Sequence, residues 1–483
     1  MSLSVIQRIL GILLTIFSLT MLPPVAVGAF YGDGGILPFV LVFVITLTSG
    51  LSFWVPVMEE NKDLRLRDGF IVVALFWTVL SLFGALPFTL MADELNMSFT
   101  EAVFESVSGL TTTGATVITA IDELPHSVLF YRQQLQWLGG MGIIVLAVAI
   151  LPILGIGGMQ LYRAETPGPM KDSKLTPRIT ETAKALWYIY LGLTVSCGLA
   201  YWLAGMSPFD AVAHSFSTVA IGGFSTHDAS IGYYDSTAIM AIAIVFMVIS
   251  GANFSLHFLA VRNRSVLAYA RDAEFRAYVG ALAIVSAVTV VYLYFTHWYS
   301  LDQAAIHGVF QVVSIATTTG FTTVEYFAWP GFLPVLLLFM SFVGGCAGST
   351  GGGMKVIRFL LLWKQGQREI MRLIHPSAQV SVKLGNQRLP ENVINAVWGF
   401  FALYVGSFSI IMLFLMATGL DQVTAFSAVA ACINNLGPGL GQVGAHFADI
   451  NDASKWALCF AMLLGRLEVF TLLVLLTPTF WKR

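Results

Sequence analysis

Four stretches of this 483-residue chain carry a short polar run ending on a glycine. They read FTEAVFESVSGLTTTGAT over 99–116, FDAVAHSFSTVAIGGFST over 209–226, QAAIHGVFQVVSIATTTGFTT over 303–323 and QVTAFSAVAACINNLGPGLG over 422–441. In register on Gly114, Gly223, Gly320 and Gly437 they repeat at intervals of 109, 97 and 117 residues. Six positions before each glycine stands a small residue, Ser108, Ser217, Ser314 or Ala431. Each stretch opens as an amphipathic helix too short to span a bilayer. The chemistry on offer is that of the main chain. Glycine lets successive carbonyls aim one way, and rings of carbonyl oxygens can replace the hydration shell of a cation. The candidate ligands are therefore Thr112, Thr113 and Gly114; Ile221, Gly222 and Gly223; Thr318, Thr319 and Gly320; and Asn435, Leu436 and Gly437. Plain turns between spans are the bland alternative, which four loops in register make the weaker reading.

Two further features could act as a gate. Residues 344–353 hold six glycines in ten positions. A glycine costs about 1 kcal/mol relative to alanine inside a helix, so a broken helix with a polar loop is expected, involving Gly345, Gly348, Gly351, Gly352, Gly353 and Lys355. Close helix packing through small residues is the competing explanation. Arg466 falls inside the last apolar stretch, roughly 15 Å from its outer end at 1.5 Å per residue. An intramembrane arginine is costly and marks a functional site by default; a salt bridge to another span is the alternative. Glu468, two positions on, does not share its helix face.

Several motifs carry nothing. Gly439-x-Gly441-x-x-Gly444 matches the dinucleotide fingerprint but lacks the preceding strand. The run ending at Lys355 is not a P-loop, since Val356 replaces the Ser or Thr. The eight histidines form no HExxH; His214 and His307 read as structural or vestibular rather than as ligands. The four cysteines form no CxxC pair and read as small apolar filler. No catalytic residue is assigned.

The elements that must position these loops are membrane helices. The chain is 57% hydrophobic and 11% charged, with a mean hydropathy of +0.79. That excludes a soluble enzyme, a disordered chain and a nucleic-acid binder. Apolar stretches near 4–30, 36–57, 70–91, 129–157, 183–205, 237–261, 276–297, 332–362, 393–418 and 455–480 predict about ten spans. The first lacks a basic leader and a cleavage site, so it is not read as a signal peptide. Trp54, Trp77, Trp202, Trp398 and Trp481 lie toward span ends, as at membrane interfaces. Of 25 Lys and Arg, 22 fall on one side, with Arg132 and Lys455 opposite and Arg466 within a span. The positive-inside rule then makes both termini cytoplasmic. Fifteen of the 27 acids, Glu101 and Glu105 among them, fall on the outer side, where they would concentrate cations. The basic segments 163–181 and 363–392 read as solvated linkers or as a docking surface for a regulatory subunit.

The four loops, the GCAGSTGGGMK run over 345–355 and the NNLGPG run over 434–439 resemble the Trk-type bacterial potassium uptake subunits of the Trk/Ktr/HKT superfamily. The resemblance covers the whole chain. It implies an all-α polytopic membrane protein with four pseudo-symmetric span–pore-helix–span repeats around one pore, plus two extra N-terminal spans. The units would be 1–60 for the extra spans, then 68–160, 182–264, 274–364 and 390–483 for the four repeats. It implies K⁺ as the transported ion, a homodimer with two pores, a cytosolic nucleotide-binding regulatory subunit and a place in the bacterial inner membrane. It makes 345–355 the gating loop and supports Arg466 as a pore residue beneath the filter, contacting that loop. A serine in place of the first filter glycine tends to accompany Na⁺ preference in the family; Gly114 therefore favours K⁺. Coupled K⁺ uptake with H⁺ or Na⁺ would need intramembrane carboxylates, and Glu468 alone clearly qualifies. A polytopic enzyme acting on lipids would need a catalytic cluster that no spacing suggests.

Overall fold

The computed structural model describes residues 3–59, 66–142, 179–376, 380–385, 387–389, 391–467 and 469–481. Residues 143–178, which include the end of the expected fourth span and most of the basic loop 163–181, lie outside the described residues, as does Glu468. The described chain is helical apart from one two-stranded antiparallel hairpin, Lys383–Leu384 against Gln387–Arg388. Among the described residues, six helices are long and apolar enough to cross a membrane: Leu3–Tyr31, Ile36–Val57, Asp68–Leu90, Lys184–Leu203, Ala273–Phe295 and Val393–Ala417. Their outward faces carry bare aliphatic side chains. Leu203 is 83% exposed, Ile284 67% and Ile410 70%, the inverse of a water-facing surface and the expected face toward lipid. The first two spans approach closely through glycine, since a Cβ on Gly50 would lie 3.0 Å from the Gly11 carbonyl oxygen.

Each of the last four long helices leads into a half-length helix: Phe99–Leu110, Pro208–Val219, Leu301–Ala316 and Gln422–Ile433. Polar N-caps start them. Ser98 forms a reciprocal capping box with Glu101, while Ser207 and Asp421 accept from Asp210 N–H and Thr424 N–H. Three of the four are 12 residues long, about 18 Å at 1.5 Å per residue, so they reach roughly halfway through a 30 Å hydrocarbon layer.

The helix returning from each loop differs from the expected continuous span. Four short helices, His126–Trp137, Thr237–Ser250, Leu333–Val343 and Asp452–Arg466, each end at a break. The first runs into a π-helical turn at Leu138–Gly142. The second bends by 92° before Phe254–Asn263. The third gives way to the glycine-rich loop, which is the one break anticipated from sequence. The fourth stops at Leu467, with Val469 at φ 61° before Phe470–Leu476. Glycines mark each break: Gly139 and Gly140, Gly251, Gly344 and Gly465. Arg466 therefore sits in the last turn of a short helix rather than inside a continuous one, and its charge suits the negative end of the helix dipole.

Candidate cation-coordinating site

All four half-helices end in the same backbone motif. The residue two before each glycine is left-handed without being glycine: Thr112 at φ 55°, Ile221 at 54°, Thr318 at 67° and Asn435 at 54°. The next N–H reaches back to the third-last helical carbonyl at 2.8 Å in every case: Thr113 to Ser108, Gly222 to Ser217, Thr319 to Ser314 and Leu436 to Ala431. This is a Schellman cap, and the small residue six before each glycine supplies its carbonyl. A left-handed non-glycine residue costs about 1–2 kcal/mol. Four such costs in register mark an imposed conformation, most plainly at the β-branched Thr112, Ile221 and Thr318.

The glycines follow, with φ of 80° at Gly114, 79° at Gly223, 85° at Gly320 and 99° at Gly437. Each faces the carbonyl oxygen of the residue before the next glycine around a ring. A Cβ on Gly114 would overlap the Gly222 oxygen, one on Gly223 the Thr319 oxygen, and one on Gly320 the Leu436 oxygen. One on Gly437 would lie 2.8 Å from the Thr113 oxygen, which closes the ring on the first loop. All twelve residues singled out from sequence are thus brought to one place.

Different side chains hold the four loops in this common shape. In the first and third, hydroxyl pairs Thr111–Thr113 and Thr317–Thr319 meet at 2.7 Å. The second loop lacks threonine there, and buried Gln136 replaces it, donating to the Gly222 oxygen at 2.6 Å and accepting from Phe224 N–H at 3.0 Å. The fourth uses Asn435, whose amide donates to Thr113 Oγ1 and the Met462 oxygen, both at 3.0 Å. Asn434 is held by the Tyr404 hydroxyl at 2.5 Å.

Beneath the ring lies the glycine-rich loop. Gly352 N–H donates to Thr318 Oγ1 at 2.6 Å, Gly353 N–H to the Asn434 oxygen at 3.0 Å, and Thr350 Oγ1 to the Val219 oxygen at 2.9 Å. A Cβ on Gly351 would be 2.8 Å from the Thr317 oxygen. The loop thus plugs the C-terminal ends of three half-helices. Gly345 accepts from Val356 N–H at 3.1 Å, and Gly348, at φ 72°, accepts from Phe254 N–H at 3.0 Å. Lys355 adopts φ 78°, is buried, and its ammonium donates to the Gly351 oxygen.

Arg466 completes the layer. Its guanidinium donates to Thr112 Oγ1 at 3.2 Å and to the Thr350 oxygen at 3.4 Å, a long contact with the loop. Shorter bonds run to the carbonyls of Gly139 and, at 2.7 Å, Gly140. Those π-turn partners were absent from the sequence reading. Trp77, expected at an interface, is buried instead, with its ring 5.4 Å from the Arg466 guanidinium carbon.

Above the ring the structure corrects two surface charges. Glu105 and Arg132 are both fully buried and paired at 2.8 Å, so neither belongs to the outer solvent face. Lys455 pairs with Glu101 at 2.8 Å. Farther out, His227 Nδ1 lies 2.6 Å from Asp122 and its Nε2 lies 3.6 Å from Asp210, an ion-pair rather than a hydrogen-bond distance. Burial opposes charging of His227, but the two carboxylates outweigh it and raise its pKa above the ordinary 6.5. His214 bridges the Asp210 carbonyl at 2.9 Å and Ser225 Oγ at 2.8 Å, and His307 meets Thr323 Oγ1 at 2.9 Å. All four cysteines are buried and unbridged.

Comparisons with known proteins agree on one family. The model of the family TrkH, described as cation transport protein, matches residues 37–483. A Trk system potassium uptake protein TrkH from Vibrio parahaemolyticus is 60% identical over 480 residues, covering 99% of both chains. The protein of the same name from Escherichia coli K12 is 57% identical over 478 residues, and the Trk system potassium uptake protein TrkG of that strain is 43% identical over 478. The crystal structure of the potassium transporter TrkH from Vibrio parahaemolyticus superposes with a TM-score of 0.90 at 57% identity, covering all of both chains.

Proposed function

Because the chain belongs to the TrkH family of cation transport proteins, we propose that it takes up K⁺ across the bacterial inner membrane through a filter of main-chain carbonyls. The observation that carries this reading is the closed ring, in which each filter glycine meets the carbonyl before the next. Twelve residues, Thr112–Gly114, Ile221–Gly223, Thr318–Gly320 and Asn435–Gly437, supply the oxygens. Because the ligand is backbone, loops with different side chains serve equally. The half-helices aim the negative ends of their dipoles at the same place.

The glycine-rich loop and Arg466 form the gate below the filter. A guanidinium beneath a cation site repels the next ion until the layer moves. Thr318 and Asn434 bind the loop to the filter's own foot, so displacement of the loop and the state of the filter are linked. The basic inner segments dock a cytosolic nucleotide-binding subunit that moves the loop, and the working unit is a homodimer with one pore per protomer. Complementation of a K⁺-uptake-deficient host at low K⁺ tests uptake. K⁺ influx into proteoliposomes, with and without an imposed H⁺ or Na⁺ gradient, tests passive permeation; flux that requires the gradient would overturn it.

A further inference from the structure

Nine positions before the filter glycine, the four half-helices carry Glu105, His214, Gln311 and Ala428. The first three all face the chain climbing away from the filter. His214 meets Ser225 Oγ at 2.8 Å, and Gln311 donates to the Val324 oxygen at 2.9 Å, each within its own loop. Glu105 differs in being charged and in acting through a partner. Its carboxylate accepts from Val117 N–H at 3.0 Å and from Thr116 Oγ1 at 3.0 and 3.1 Å. It also takes Arg132 Nε at 2.9 Å. Arg132 then crosses to the second loop: Nη1 donates to the Ser225 oxygen at 3.1 Å, and the guanidinium carbon sits 4.2 Å above the Phe224 ring. Its Nη2 returns to Thr116 Oγ1 at 3.2 Å. Thr116 and Ser225 hold the same register, two residues beyond Gly114 and Gly223. One buried ion pair therefore fixes the spacing of two adjacent filter loops.

We propose that Glu105 and Arg132 are positioning residues that set cation discrimination by holding the first and second carbonyl loops at one separation. This deepens the filter reading and rests on it. A buried ion pair adds little net stability compared with a well-packed apolar pair, because desolvation offsets the attraction. Its directional bonds, by contrast, tolerate little displacement. Every polar group the pair touches belongs to the two loops, so relaxation of the pair is transmitted to them directly.

Unidirectional influx of K⁺ and of Na⁺ into proteoliposomes tests this, normalised to incorporated protein. Glu105→Gln keeps the shape and removes the charge. Arg132→Lys keeps the charge and loses the fork that reaches Ser225. Both are expected to lower the K⁺ to Na⁺ flux ratio about fivefold or more, since discrimination depends on how the carbonyls are arranged. Glu101→Gln, one helical turn away at the Lys455 pair, is expected to leave the ratio unchanged. Variants that keep the ratio within about twofold while total flux or abundance falls would make the pair merely structural. Failure of both variants to reach the membrane would make it a folding determinant and equally overturn the proposal. Wild-type vesicles without K⁺ flux would instead refute the filter reading itself.

Discussion

The Arg466 guanidinium donates to the carbonyl oxygen of Gly140 at 2.7 Å, joining the break in the fourth returning helix to the break in the first. The same group reaches Thr112 Oγ1 under the first filter loop and the Thr350 oxygen of the glycine-rich loop. A single cation thus spans the layer beneath the ring. Replacement by alanine removes both the positive charge and these ties. In Arg466→Ala, partner-independent K⁺ influx into proteoliposomes is expected to rise roughly tenfold, about 1.4 kcal/mol off the barrier to entry. Arg466→Lys keeps the charge without the fork and should fall between the two. Unchanged basal influx in Arg466→Ala would remove this residue from the gate.

The ring of glycines ranks its own substitutions. A methyl on Gly114, Gly223 or Gly320 overlaps a neighbouring carbonyl deeply, whereas on Gly437 it would lie 2.8 Å from the Thr113 oxygen, a milder clash. Every site also carries a left-handed φ, which costs an L-residue about 1–2 kcal/mol. The three alanine variants with the deeper overlap are expected to lose growth at low K⁺. Gly437→Ala should keep partial growth with a weakened preference for K⁺ over Na⁺. Equal effects at all four positions would show that strain in φ, not the neighbour's oxygen, governs them.

The outer mouth should respond to pH through His227. Its imidazole stacks 3.5 Å from the Tyr233 ring, with Tyr234 5.6 Å and His214 6.4 Å away, and the carboxylates facing it are Asp122 and Asp210. A folded-state pKa raised above 6.5 means that the clamp contributes stability fully below that value. The contribution is lost as pH climbs through the raised pKa. The Asp122 pKa is lowered from 3.8: burial opposes ionisation, but His227 and the Asp228 N–H outweigh it. Asp122 therefore stays charged throughout that range. The wild type should lose thermal stability as pH rises above 6.5 through the raised pKa, and His227→Gln should flatten this step. A wild-type profile matching that of the variant would refute the clamp.

The parts of the site legible in the sequence are those written in backbone requirements. Gly114, Gly223, Gly320 and Gly437 can be aligned because a left-handed φ beside a neighbouring carbonyl favours glycine at each, and the half-helices before them are too short to span a bilayer. Side-chain supports were not legible, because unlike residues do the same work. The Thr111–Thr113 pair, Gln136 and Asn435 brace equivalent loops from different positions in the chain. Glu105 reads as an outward acid because hydropathy cannot separate a vestibule from a helix-packing face. Its partner Arg132 lies 27 residues on. The other three helix breaks are hidden because a span-length window averages across Gly139, Gly251 or Gly465. The polar column at Glu105, His214 and Gln311 was the available signal, visible only once the loops are in register.

Glu274 ties the glycine-rich loop, the proposed gate, to a neighbouring span. Buried in the first turn of Ala273–Phe295, it accepts from Ala347 N–H at 2.7 Å and from Ile357 N–H at 3.1 Å on one oxygen. These donors bracket the glycine-rich loop, one near its start and one just past its end. Glu274→Ala would strand two buried N–H groups at about 1–3 kcal/mol each, so the loop's ends should loosen while its filter-side bonds to Thr318 and Asn434 persist. The expected outcome is higher basal K⁺ influx and a lower unfolding temperature. Glu274→Gln retains a carbonyl oxygen that can accept both bonds, and it should stay close to wild type in both measurements. The two variants separate bonding from charge: if Glu274→Gln leaks as Glu274→Ala does, the carboxylate's charge, not its grip on the loop, holds the gate shut.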